Sequence, residues 1–347
     1  MYNNKLFEKF IEERNIKKST SQNYESTLKK YSDFHAQPIE KLLEEAYVEE
    51  NNNIPLKKRK LKNRLLDYRN YLLNTEMSPN TVKTYFSKLK TFYQHFEVEI
   101  PKIPNAKYEK AYETNYLDLP TKKHIEDALN IVSIDLKAVI LFMSSSGTSK
   151  AETLSLKIED FIIATQKYHN GGNIKNILKI LEKNNNIVPT FYLKRIKTDK
   201  YYYTFCSPEA TNAIVYYLKT RKNLKLNDNL FDYKSSLLLS KFQEINDKMN
   251  WGFKGNYRFF RAHTLRKFHA SNLGLTAEYI DSLQGRSKNV VHETYIKTNP
   301  QKLKEIYMGA MQNVMICFNE DKKENEKKEE YNITINIFLS DKQYNIY

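Results

Sequence analysis

A chain of 347 residues with a formal net charge of +15 and a pI near 9.3 has room for two domains with cores of their own, and so positive a surface attracts polyanions, nucleic acid first among them. Two distant cysteines, Cys206 and Cys317, exclude a disulfide framework and a cysteine-rich metal site. Each apolar run is soon broken by charge, and the polar start, Met1-Tyr-Asn-Asn-Lys-Leu-Phe, has no signal-peptide core, so the sequence predicts no membrane association and a cytoplasmic or nucleoid-associated protein.

Residues 1 to about 100 read as mostly helical. Leu6, Phe7, Phe10 and Ile11 recur on one face. A hydroxyl among Ser19, Thr20 and Ser21 can cap a helix carrying Tyr24, Leu28 and Tyr31. Leu42 and Leu43 lie in another helix, and Pro55 opens a long one with Leu56, Leu61, Leu65, Leu66 and Tyr71. Ser78-Pro-Asn-Thr81 is a strong helix start before Val82, Tyr85, Phe86, Leu89, Phe92 and Phe96. Residues 101–118 read as a linker, because Pro101 and Pro104 oppose regular structure. A second domain, 119–314, opens with Thr121 as a cap for a helix with Ile125, Leu129 and Val132. Ala138 to Met143 form a core segment that Ser144-Ser-Ser-Gly147 is expected to break, and a short helix follows from about Lys150. Thr190 to Ser207 reads as a β-hairpin, with Phe191 to Leu193 and Tyr201 to Phe205 as strands and Thr198-Asp-Lys200 as the turn. Helices follow at Pro208, after Ser235 and after Thr264. The tail, 315–347, combines a solvated charge run from Glu320 to Glu330 with an alternating stretch, Tyr331 to Phe338, that can form a strand. The fold class is therefore mainly α with a small β-sheet.

The polar groups with chemistry cluster late in the chain. His263-Thr-Leu-Arg266 puts an imidazole and a guanidinium one helical turn apart, where both can face one phosphate. The planar fork of Arg266 suits two phosphate oxygens and developing charge, and His263 can hydrogen-bond the phosphate or accept a proton. Leu283-Gln-Gly-Arg-Ser287 supplies Arg286, a donor that cannot serve as a neutral base. Tyr295 follows nine residues after Arg286, with His292 a lesser helper beside it. A phenol becomes a competent nucleophile when cations and a proton acceptor favour its anion.

This order resembles the tyrosine recombinases, the phage-integrase family, and among them the proviral integrases of archaeal mobile elements. The resemblance runs from about residue 3 to residue 310. It implies a SAM-like helical core-binding domain at 1–100 and a mixed catalytic domain at 119–314, closing around duplex DNA with the linker between them. It also implies metal-free, cofactor-free cleavage through a 3′-phosphotyrosyl intermediate, hence activity in EDTA, and a tetramer working on double-stranded attachment sites, with a DNA-bending accessory protein as a candidate partner. Tyr295 matches the nucleophile, and His263 and Arg266 the family's His-x-x-Arg box. Lys197, before the hairpin turn, matches the lysine that protonates the leaving 5′-oxygen, with Lys194, Arg195 and Lys200 as nearby alternatives.

Ser146-Gly-Thr-Ser-Lys-Ala-Glu152 resembles the family's Thr-Gly-x-Arg-x-x-Glu box, but alignment on Gly147 and Glu152 puts Ser149 where an arginine belongs. Either Lys150 supplies the missing charge, as a point cation without the bidentate fork, or the chain is a recombinase-derived DNA-binding protein with impaired catalysis. A third reading, topoisomerase IB-like relaxation, uses the same tyrosine chemistry. Phosphate-contact candidates are Lys57, Lys58, Arg59 and Lys60, then Lys83, Lys88 and Lys90, then Lys194, Arg195 and Lys200.

Overall fold

The computed structural model describes residues 5–104, 106, 112–113, 115–286 and 299–316. The chain forms two compact units, Met1–Glu113 and Thr114–Tyr347. Unit 1 holds α1 (Lys5–Glu13), α2 (Lys18–His35), α3 (Ile39–Asn51), α4 (Lys60–Leu73) and α5 (Pro79–His95). Its core is aromatic: Phe10 meets Tyr24 and Phe92 edge-on, and Tyr31 meets Tyr68 and Tyr93 in the same way. Edge-to-face geometry sets the positive rim of one ring against the negative face of the next.

Local chemistry explains where these helices start. Ser78 accepts from the Thr81 N–H and Pro79 fills the first helical position, as the sequence predicts. Two expectations shift. The second helix begins at Lys18, so Ser19 to Ser21 lie inside its first turn and the residue before it, Lys17, caps with no side-chain bond. Pro55 opens only a one-turn 3-10 segment, Leu56–Lys58. The chain is extended at Arg59, whose side chain donates to the Ile54 carbonyl and pairs with Glu50. The α4 helix then starts at Lys60, with its first N–H bound by the Glu49 carboxylate at 2.9 Å; a carboxylate there also complements the positive end of the helix.

Unit 2 runs through α6 (Lys122–Asn130), α7 (Ile134–Ser146), α8 (Lys150–Ser155), α9 (Ile158–Ala164), α10 (Ile174–Glu182), β1 (Thr190–Lys194), β2 (Tyr201–Phe205), α11 (Pro208–Thr220), α12 (Ser235–Lys248), β3 (Phe253–Lys254), β4 (Tyr257–Arg258), α13 (Ala262–Asn272), α14 (Ala277–Leu283) and α15 (Pro300–Ala310). The apolar helix α7 lies at the centre, buried from Ala138 to Ser146. The three serines do not break it. The hydroxyls of Ser145 and Ser146 donate back to the Leu141 and Phe142 carbonyls at 2.7 and 2.6 Å, and the helix stops at Gly147, in the left-handed region with φ 65°.

The β1 and β2 strands pair antiparallel, Thr190 opposite Phe205 and Lys194 opposite Tyr201. The first strand therefore runs one residue further at each end than expected, and the turn widens to a tip spanning 195–200, closed by the Arg195 N–H on the Lys200 carbonyl at 2.7 Å. The α9, α10, α14 and α15 helices and the short β3–β4 hairpin add to the elements named from the sequence. Among the described residues, no helix is long and apolar enough to cross a membrane. The Tyr331–Phe338 stretch lies outside the described residues.

Candidate active site

The site grows from the end of α7. The last carbonyls of a helix have no partner within it, and here three elements supply one. The Tyr307 hydroxyl of α15 donates to the Ser145 carbonyl at 2.9 Å, Thr204 of β2 to that of Ser146 at 2.9 Å, and Arg266 of α13 to that of Gly147 at 2.6 Å. These bonds bring helix, hairpin and the His263–Arg266 turn to one place.

Arg266 is buried. Its other terminal nitrogen donates to the Gln284 carbonyl at 2.7 Å, and the Glu152 carboxylate stands 3.8 Å away. Burial pushes its guanidinium down to about 10, opposed by Glu152. It therefore keeps its charge at neutral pH despite the desolvation. His263, one turn earlier on α13, has an exposed face. Crowding by protein atoms, then the cations Arg261, Lys267, Arg266 and Arg286, lower its pKa. Its imidazole is thus held neutral at pH 7, the state that accepts a proton.

Glu152 organises the turn. It is buried, accepts the Ser149 N–H at 3.0 Å, and receives the Tyr202 hydroxyl at 3.1 Å. Burial, then Glu152, push the Tyr202 phenol well up, so it acts as a fixed donor. Ser149 itself is the N-cap of α8, accepting from the Glu152 N–H. Lys150 donates to the Ser235 carbonyl at 3.4 Å, at the start of α12. Arg195, at the hairpin tip, donates to the same Gln284 carbonyl as Arg266, at 2.7 Å, and lies 3.8 Å from Glu152.

Beneath these groups lies a layer for which the sequence carried no distinctive signal. Gln284 donates to the Arg266 carbonyl at 3.1 Å and approaches Nδ1 of buried His269 at 3.0 Å. The amide is a donor there, so Nδ1 is the acceptor and Nε2 carries the proton. Burial, then Arg266 and Arg286, push His269 down to about 3. Two glycines permit this packing. A Cβ on Gly147 would fall 2.5 Å from His269 Nδ1, and one on Gly285, at φ 60°, would fall 2.5 Å from the Tyr202 ring.

Arg286 follows Gly285 and is exposed, its guanidinium 3.5 Å from Asp281. Lys197 is exposed on the hairpin tip. Tyr295 and His292 lie outside the described residues. The structure thus gathers Arg266, Glu152, Gln284 and Arg195 in direct contact, with His263 close enough to sense three neighbouring arginines, whereas Lys150 is engaged elsewhere.

Among the phosphate-contact candidates, Lys57, Lys58, Lys60, Lys83, Lys194 and Lys200 are exposed. Lys60 reaches toward Glu45 at 3.8 Å, and Lys194 pairs with Asp199 at 3.2 Å. Arg59 is an internal strut, paired with Glu50. Lys88 lies over the Tyr24 and Tyr85 rings and Lys90 over that of Phe86, each half-buried.

No family model and no curated protein matches this chain. Solved structures do. The Tn1549 transposon integrase in complex with transposon right end DNA aligns with a TM-score of 0.54 at 15% identity, covering 88% of this chain and 98% of that one. A lambda integrase tetramer bound to a Holliday junction aligns with a TM-score of 0.52 at 13% identity, covering 84% and 75%. A lambda integrase dimer bound to a core site gives 0.52 at 14% identity, covering 83% and 92%. The fold of this chain, mainly helical with a small β-sheet, is thus similar to that of these integrases.

Proposed function

We propose that this chain is a tyrosine-type site-specific DNA recombinase, of the kind carried by proviral mobile elements, that cleaves and rejoins duplex DNA without a metal. The observation that carries the reading is the buried, still charged Arg266, held on two carbonyls and beside Glu152 one turn from a neutral His263, in a fold shared with DNA-bound integrases. A buried cation with its geometry fixed beforehand stabilises a pentacoordinate phosphate without reorganisation.

In the proposed step the Tyr295 oxygen attacks a backbone phosphorus and its phenolic proton passes to His263. The bond from phosphorus to the 5′-oxygen breaks, and that oxygen takes a proton from Lys197. The products are a 3′-phosphotyrosyl ester and a free 5′-hydroxyl. Attack by another 5′-hydroxyl on the ester reverses the step and joins a new strand. Arg266 and Arg286 donate to the non-bridging oxygens. The working partner is double-stranded attachment-site DNA, held by residues 1–100 and 119–314 as DNA-binding and catalytic domains, with a tetramer as the active assembly, a DNA-bending accessory protein as a further candidate, and the cytoplasm or nucleoid as its place of action.

A second reading, a DNA-binding protein without catalysis, is favoured by Ser149 serving as a helix cap where the resemblance calls for an arginine. Covalent trapping separates the two. On a nicked duplex carrying the junction sequence that flanks its own coding element, the recombinase leaves a 3′-linked adduct on a denaturing gel, absent in Tyr295→Phe. Specific binding with no adduct supports the second reading.

A further inference from the structure

We propose that Arg195, from the hairpin tip, holds the reacting phosphate together with Arg266, so that the phosphate clamp is built from two guanidiniums on two separate elements. The inference rests on the recombinase reading above and names a residue of that same site. Arg195 Nη1 and Arg266 Nη2 each lie 2.7 Å from the one Gln284 carbonyl oxygen. The two nitrogens are therefore no further apart than twice that distance, a span one phosphate can bridge. Glu152 sits between them, with Oε1 3.8 Å from Arg195 and Oε2 3.8 Å from Arg266.

The charge arrangement is informative. One carboxylate faces two guanidiniums, which leaves a net positive charge in a mostly buried place: the side chains of Arg195, Arg266 and Glu152 are 16%, 7% and 3% exposed. Such an excess is unfavourable by itself, and Arg195 contributes to lowering the Arg266 pKa. An anion completes the set. Among the described residues, the contacts to protein engage Nη1 of Arg195 and Nη1 and Nη2 of Arg266, while each guanidinium has five N–H donors in a planar fork.

Arg195 also controls the hairpin tip. Its backbone N–H closes the tip on Lys200 at 2.7 Å, and Lys197 stands two residues on. Anchoring the Arg195 side chain to Gln284 therefore fixes the loop that carries the proposed general acid. Ser149 caps α8, and the Glu152 carboxylate beside it receives the hairpin arginine. The clamp gains its second fork from a different part of the chain.

The test compares Arg195→Gln, whose amide keeps a donor for the Gln284 carbonyl but has no charge, with wild type. Two nicked duplexes of flanking-junction sequence are used, one with an ordinary scissile phosphate and one with a methylphosphonate there, which carries one negative charge fewer. If Arg195 neutralises the phosphate, Arg195→Gln slows adduct formation on the phosphate on the order of a hundredfold, Arg195→Lys by less, and the deficit shrinks about tenfold or more on the methylphosphonate. Adding Ser149→Arg to Arg195→Gln should recover part of the rate. An equal deficit on both duplexes makes Arg195 a strut of the hairpin and overturns the proposal, as does an Arg195→Gln rate equal to wild type. Absence of any Tyr295-dependent adduct with wild type on either duplex overturns the recombinase reading itself, and the assignment with it.

Discussion

His269 makes unit 2 sensitive to mild acid in a way that can be calculated. It is fully buried, with its pKa pushed down to about 3, against about 6.5 in an unfolded chain. The sign follows from proton binding. Below pH 6.5 the unfolded chain takes up a proton that the folded chain refuses, so stability present above pH 6.5 is lost as pH falls toward 3. For these two pKa values the linkage relation gives a loss of about 2 kcal/mol at pH 5 and about 3 kcal/mol at pH 4. Geometry agrees with the direction: a proton on Nδ1 would face the Gln284 amide donor at 3.0 Å. Turning that amide to present its oxygen would forfeit its bond to the Arg266 carbonyl.

The assay is urea unfolding followed by the fluorescence of Trp251, the chain's single tryptophan, which packs against Phe259 and Phe260 in unit 2. His269→Asn keeps an acceptor and cannot titrate. His124 and His263 also have lowered pKa values, so the informative quantity is wild type minus variant. That difference should change by about 2 kcal/mol between pH 7.5 and 5. Parallel pH dependence in the two proteins would refute the burial argument for His269.

Four further outcomes are expected. Gly285→Ala puts a Cβ 2.5 Å from the Tyr202 ring at a left-handed φ, and should cost about 2–4 kcal/mol, read as a lower urea midpoint. Arg261→Gln removes the charge that does most, after burial, to lower the His263 pKa; the acid limb of the cleavage pH profile, which lies below pH 6.5, should move up, while an unmoved limb argues against His263 as the proton acceptor. Lys197→Ala should slow cleavage by about 100-fold or more, and a bridging 5′-sulfur, which leaves without protonation, should erase most of that loss. Adduct formation should survive EDTA, and its complete loss would count against a metal-free reaction.

The parts of the fold legible in the sequence are those set by neighbours along the chain. The Ser78 and Thr121 caps need only a hydroxyl and the next turn, and the hairpin needs only alternating strand residues on either side of a turn. The extent of α7 was not legible, because three serines read as a break until their hydroxyls are seen bonded to carbonyls one turn back. The same division runs through the site. Arg266, His263 and Arg286 announce themselves by spacing, as residue types suited to phosphate. His269 does not: three residues beyond Arg266 it resembles any polar residue on a helix, and it is buried because the Gly147 turn packs against it. Arg195 was one of four basic residues in and beside the tip, and what singles it out is a carbonyl 89 residues further on.

That long-range selection bears on how Ser149 is tolerated. A phosphate clamp needs two planar donors at a fixed separation, and the separation is set by what both donors rest on. Here the common support is the Gln284 carbonyl and the Glu152 carboxylate, neither of which depends on the residue at position 149 having a long side chain. Glu152 keeps its place through the Ser149 N–H and the Tyr202 hydroxyl, one a backbone group and the other from the hairpin. Any arginine that reaches this support from an adjacent element satisfies the geometry. A lysine at position 150 lacks the fork, and its ammonium donates to the Ser235 carbonyl at 3.4 Å. In the proposed recombinase, a serine at position 149, where the resemblance calls for an arginine, is thus compatible with an intact clamp as long as the support survives. Tyr202→Phe, which withdraws one of the two donors holding Glu152, should accordingly impair cleavage in proportion to how far Glu152 moves, although Tyr202 is buried and touches no phosphate in the proposed step.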